Sequence, residues 1–339
     1  MLEPIIKTDP NTGLEFMLLT DETSVSRKLY FSCESWLTDN RHIIFFRDSD
    51  RGGQLIKLHE ESLKETVLAD AEDGFLIHSF GLDRCKDIGY LAKEDMLWAL
   101  DARSGQMQPV AKLPERAKPL GHYTVSKNGL LPMTFKLPNG IYCLALTDPV
   151  KGQTEILHYS DTPLGHCQAC PADDDTIFFC HETGGDAIQR MWHYIISEKR
   201  AIPYFVERHG EWVTHETWSQ DGTYMTFILA PDEIWQGAKD GRNFRKIAKS
   251  EEYHHCAPSP TNKWMVADRS LAGEIVLVDM ATGADRVLVT GHFPPTGLEH
   301  QHPSFNRSGD KVLFTAAQDD KGACQIGLID LKQIEGFEA

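Results

Sequence analysis

Apolar and polar residues alternate in short runs along most of the chain, and the runs end in Gly, Pro, Asn or Asp. Glu274-Ile275-Val276-Leu277-Val278-Asp279, then Thr282-Gly283, then Arg286-Val287-Leu288-Val289 is one such unit. This pattern predicts strands joined by tight turns, and long amphipathic helical patterns are nearly absent. The strand starts recur. They lie near Ser35-Trp36-Leu37, Ser79-Phe80-Gly81-Leu82, Gly121-His122, Gly165-His166, Thr214-His215, His254-His255 and His300-Gln301-His302. The last five anchors, at 122, 166, 215, 255 and 302, are spaced by 44, 49, 40 and 47 residues. Roughly 40–50 residues is the period of a four-stranded propeller blade. Seven units fill the chain without a linker, so an all-β, seven-bladed β-propeller spanning 1–339 as a single domain is expected. The run from Thr12 to Thr20 has the pattern of a last strand and is expected to close the final blade from the other end of the chain, leaving short, protected sheet edges.

The repeat gives the histidines a meaning that none has alone. In a propeller the first strand of each blade lines the central channel, and strand starts gather at one rim. His122, His166, His215, His255, His300 and His302 are therefore expected near one pocket. Side chains at i and i+2 leave the same face of a strand, so His300 and His302 point together. With His255 from the preceding unit they offer three imidazoles to a divalent cation. His254 is expected to face away from its neighbour. His166 and Gln168 fall on the channel side and are expected to line a ligand pocket, whereas His122 lines the channel without a chemical role. Trp212 and Trp218 are expected to pack between blades, with stacking on a ligand as the alternative.

Composition narrows the partners. Hydrophobic content of 41% and charged content of 25% are those of a soluble globular protein. Fifty acidic side chains against 34 basic ones give a formal charge of −16, which excludes a nucleic-acid footprint and makes any anionic ligand dependent on a local positive site. No apolar run is long enough for a membrane span. The start, Met1 to Lys7, has neither the basic nor the apolar region of a secretory leader, so none is expected. The eight cysteines are scattered, and the lone Cys167-Gln168-Ala169-Cys170 pair has no second pair to complete a zinc site. Reduced thiols in a cytoplasm are the simplest account.

Four segments, in order, resemble the oligogalacturonate lyases of polysaccharide lyase family 22. Phe179-Cys180-His181-Glu182 with Gln189-Arg190-Met191-Trp192 is similar to an F-C-H-E-G…Q-R-M-W segment. Thr214-His215-Glu216-Thr217-Trp218 with Asp221-Gly222 resembles T-H-E-x-W…D-G. Trp264 to Asp268 resembles an L-M-V-G-D run, and His300 to Phe305 resembles H-P-H-P-S-F. The resemblance implies a seven-bladed propeller that binds a divalent cation, typically Mn²⁺, and cleaves short α-1,4-linked galacturonides by β-elimination in the cytoplasm. It implies His215 as the base, His255, His300 and His302 as metal ligands, and Arg190 as a clamp on a substrate carboxylate. His181 lies in a matching motif before the Gly184-Gly185 turn and joins the expected substrate-binding set. The chain departs from the family at Gly297, where the family has a glutamine ligand. Water, Glu299 or His292 is expected to complete the shell. Two rival readings stay open: a lyase for another uronic-acid oligosaccharide, and a non-catalytic TolB-like binding propeller. Oligomeric state is not legible.

Overall fold

The computed structural model of the protein describes residues 4–183, 187–293, 300–317 and 323–339. The expected propeller is the fold observed: seven antiparallel sheets, six of four strands and one of five. Their innermost strands are Ser26–Lys28, Gly81–Leu82, Lys118–Leu120, Leu164–Ala169, Val213–Trp218, Cys256–Pro258 and Ser304–Phe305. The second strands show why the sheets stack. His42–Arg47 and Trp264–Arg269 are buried at all four central positions, so both faces of each strand are covered. Residues such as Ile44, Phe45, Val266 and Phe314 fill the spaces between neighbouring blades.

The strand starts differ from the repeat anchors in detail. In the first blade the innermost strand is Ser26–Lys28, and Trp36 makes only a single bridge to Ile43. The intervening residues, with Tyr30 and Phe31 among them, run into the channel instead. In the sixth and seventh blades the strand begins after the histidine, at Cys256 and Ser304.

Turns after the inner strands tie several blades to their neighbours. Asp221 accepts Thr223 N–H at 3.0 Å and also receives the Asn262 amide of the following blade at 2.9 Å. Asp87 accepts Thr38 N–H at 2.7 Å, Asp174 accepts Asn128 N–H at 3.0 Å, and Asn40 accepts Arg307 N–H at 3.0 Å. Gly222 serves one such turn. Its φ is +67°, and a Cβ there would stand 2.5 Å from the Ala172 backbone nitrogen, so only glycine fits. These bonds hold the blades in fixed rotation, and with them the side chains at the opposite ends of the inner strands.

The ring closes with Glu15–Leu18 on Cys324–Asp330, in the register Met17 to Leu328 and Leu18 to Gly327. A further strand, Ile5–Thr8, pairs outside it and is exposed throughout. Asp9 turns that hairpin by accepting from Asn11 and Thr12 N–H. The final blade therefore ends one strand further out than Thr12 to Thr20, with an open edge.

Candidate active site

Two inner strands carry the same irregularity. Gly165 pairs with Cys180 and Gln168 with Phe178, while Thr214 pairs with Ile228 and Thr217 with Thr226. Each inner strand thus carries one extra residue, a β-bulge, which re-aims a side chain. His166 (φ +46°) and His215 (φ +54°) occupy the bulges in left-handed conformation, and His302 (φ +46°) repeats it just before its strand. A non-glycine residue held there costs about 1–3 kcal/mol, and such positions concentrate at functional sites.

The result is a cluster of imidazoles in the channel wall. His215 and His255 have ring centroids 4.0 Å apart, His255 and His302 4.4 Å, and His255 and His300 5.2 Å. His254 belongs to the same cluster, at 4.3 Å from His215 and 4.2 Å from His300. The expectation that His254 faces away is therefore corrected. The pair precedes the strand, so strand alternation does not govern it. Ring nitrogens of His215, His254 and His255 lie within 4.8 Å of one another. His300 and His302 do come together, 5.8 Å apart, but through irregular backbone and not through an i, i+2 strand face.

Buried Asp268 organises the cluster. It accepts the His255 backbone N–H at 2.6 Å, the His255 Nδ1 at 3.0 Å and the His302 N–H at 3.3 Å. A carboxylate beside Nδ1 keeps the proton on that nitrogen and leaves Nε2 bare, the second-sphere arrangement of histidine–metal sites. His215 Nδ1 has no hydrogen-bond partner among the described residues. Burial, reinforced by neighbouring imidazoles, holds His215, His255 and His302 well below the ordinary histidine range. Burial also lowers His254 and His300. All five are neutral near pH 7, the form that ligates a cation or takes a proton. Burial pushes the Asp268 carboxyl up to about 6, against the pull of His254 and the His255 N–H. This donor set fits a divalent transition cation: several neutral imidazoles, one oriented by a carboxylate and one with an orphaned nitrogen.

The curated oligogalacturonide lyase of Pectobacterium atrosepticum is 23% identical, aligned over 95% of this chain and 95% of its own length. The oligogalacturonate lyase of Dickeya dadantii is 22% identical with the same coverage. A solved oligogalacturonate lyase in complex with manganese overlays with a TM-score of 0.86 at 20% identity, covering 97% of each chain. The chain resembles oligogalacturonate lyases over 95% or more of its length. No family model matches it.

The expected substrate-binding residues are distributed less simply. His166 lies beside the cluster, its ring 6.5 Å from that of His215, with Nδ1 at 2.7 Å from Glu216 and Nε2 at 3.2 Å from Glu182. Arg190 is 2% exposed; its Nε donates to Glu216 at 2.7 Å and its terminal nitrogens to Glu182 at 3.2 and 3.3 Å. Burial opposes the charge on Glu216, yet the Arg190 guanidinium and His166 hold its carboxyl far below the usual range. Gln168 is buried and donates to the Glu216 carbonyl at 2.7 Å. His181 faces elsewhere, packing on Trp192 at 5.3 Å in a separate cavity with His158 and Tyr159. Trp218 is buried on His193, and Trp212 is 46% exposed. Gly297, Glu299 and the Gly184-Gly185 turn lie outside the described residues. The His292 ring packs edge-on to Phe16 and Phe314, not against the cluster.

Three contributors were not anticipated. His254 was dismissed by alternation. Asp268 was visible only as the last residue of a matching run. Tyr30 carried no signal, yet its ring stands 4.8 Å from His122 and His302 and 5.7 Å from His166. It borders a cavity of about 350 Å³ beside the cluster, which His122 and His302 also line.

Proposed function

We propose that the protein is a metal-dependent lyase that cleaves short α-1,4-linked galacturonides by β-elimination. The observation that carries the reading is the neutral imidazole cluster backed by Asp268, in a chain that resembles oligogalacturonate lyases over 95% of its length. His255, His300 and His302 would hold the cation, with His254 within reach of the same point. A divalent cation, manganese in the solved relative, supplies Lewis-acid stabilisation of charge on the uronate carboxylate when bound. His215 takes the proton α to that carboxylate, because its ring is neutral and one nitrogen is unengaged. The electron pair of that C–H bond forms the 4,5 double bond as the C4–O bond breaks. The freed glycosidic oxygen leaves with the other sugar as a hydroxyl, taking a proton from solvent to balance the one that His215 accepts and later returns to solvent. No water is consumed, so no pair of hydrolytic carboxylates is needed.

Arg190 receives a substrate carboxylate only by exchanging it for Glu182, whose side chain is 41% exposed; Glu216 fixes its other edge. That exchange also frees His166 Nε2 on the same side, while its Nδ1 stays on Glu216. A chain with formal charge −16 suits short anionic oligomers better than long ones, since each added uronate meets more repulsion. Buried thiols such as Cys167, Cys170 and Cys180 form no disulfide, which supports a reducing cytoplasm.

The test is to incubate the Mn²⁺-loaded protein with di- and trigalacturonate and follow the ultraviolet absorbance of the conjugated 4,5-unsaturated product. A rise supports the reading. Conversion of other uronides alone transfers it to another sugar. Silence on all uronides, with no bound metal, leaves a binding propeller.

A further inference from the structure

Lys28 ends the innermost strand of the first blade, and its N–H donates to Thr315 of the seventh blade at 3.1 Å. Lys28 is 3% exposed, although lysine is almost never buried without a partner. Its ammonium makes one hydrogen bond, to the Leu29 carbonyl at 3.0 Å, and forms no ion pair among the described residues. Glu34, an acid whose field reaches it, is turned instead to Trp36 N–H at 2.9 Å and toward Arg307. Neighbouring Arg27 is different, because it pairs with Asp48. Burial lowers the Lys28 pKa to about 8, so the group is still mainly charged at neutral pH.

An uncompensated buried ammonium is expensive, and the structure shows what it faces. Lys28 lines the 350 Å³ cavity with Tyr30, Phe46, Phe80, His122 and His302. That volume is within the range of small-ligand sites, about 300–1,000 Å³. Tyr30, Phe46 and Phe80 give the cavity an aromatic, largely apolar wall. His302 lines this cavity and also packs 4.4 Å from His255, so the cavity adjoins the imidazole cluster. Within an acidic chain, this is a local positive site of the kind an anionic ligand requires.

We infer that Lys28 binds the carboxylate of a second uronate, the sugar adjoining the one that loses its proton. The inference rests on the lyase reading and adds to it a specificity-determining residue. The cavity selects an oligouronide over a single uronate, and a free acid over its ester. A carboxylate arriving here meets a desolvated charge that needs no reorganisation, so the pair is stronger than one at the surface.

The test uses Lys28→Met, with Lys28→Gln as a second variant, in the Mn²⁺-loaded protein. Removing an unpaired buried charge is expected to leave the melting temperature unchanged or raised. The KM for digalacturonate should rise about tenfold or more while kcat changes much less, because only binding of the second sugar is affected. Digalacturonate binding, measured by calorimetry in a His215→Ala background, should weaken by the same factor. Methyl esterification of the second carboxylate should weaken binding to the protein that keeps Lys28 about as much, and binding to Lys28→Met hardly at all. Equal affinity of the wild-type protein and the Lys28→Met variant for the free acid overturns this inference alone. A wild-type protein that neither binds nor cleaves any uronide dimer overturns it together with the lyase reading.

Discussion

Two buried polar clusters sit side by side at the channel, and they differ in how their charge is balanced. One is the imidazole cluster of His215, His254, His255, His300 and His302, held by Asp268. The other joins His166, Glu216, Arg190 and Glu182. His166, Cys180 and Glu216 also have ligand atoms within 4.8 Å of one another, so geometry alone offers a second metal site. Chemistry separates them. In the second cluster the Arg190 guanidinium already lies on Glu216, and burial drives the Cys180 thiol far above its ordinary range. That cluster carries its own cation. The first holds neutral donors and one carboxylate, a set that suits a cation supplied from outside.

The comparison can be broken at several points. The largest effect is expected from His215→Ala, which should lower turnover of galacturonides by about 10²–10⁴-fold while manganese content, read by atomic absorption, is kept. Lost metal would move His215 from base to ligand. Next is Arg190→Met, which strands Glu216 at 0% exposure with His166 as its remaining side-chain partner. Urea unfolding should show about 3–5 kcal/mol of lost stability, with metal stoichiometry unchanged if the second cluster binds no ion. Asp268→Asn keeps the shape but removes the charge behind His255. Manganese affinity measured by calorimetry should fall about 10–100-fold, with little change in fold by circular dichroism.

A smaller effect concerns pH. Burial holds His193 at about 3 and His292 at about 4, below the unfolded histidine value near 6.5. The unfolded chain then binds more protons in that interval, so these groups contribute stability above about pH 6.5 that is lost as pH falls toward 3–4. The urea midpoint should decline on acidification below about 6.5; a flat midpoint would show that other groups compensate. The smallest effect is expected from His181→Ala, which removes a ring packed on Trp192 in a separate cavity. Turnover within about twofold of wild type would place His181 outside the reaction; a large loss would place that cavity in the substrate path.

The repeat in the sequence determined the blade count and which rim carries the histidines, because strand alternation and turn residues are local properties of a chain. His215, His255, His300 and His302 were legible for that reason, one anchor per blade or close to it. What only the tertiary structure decided depends on contacts between segments far apart in sequence. His254 enters the cluster because its backbone is irregular, so a period-two rule does not apply. Asp268 matters because one carboxylate reaches two segments, 13 residues away at His255 and 34 residues away at His302. Arg190, read as an open clamp, is engaged because Glu216 of the next blade meets it at 2.7 Å. Lys28 and Tyr30 had no pattern to betray them; the closed ring brings the first blade beside the last. Periodicity along the chain specifies what points inward, and only closure specifies what it meets there.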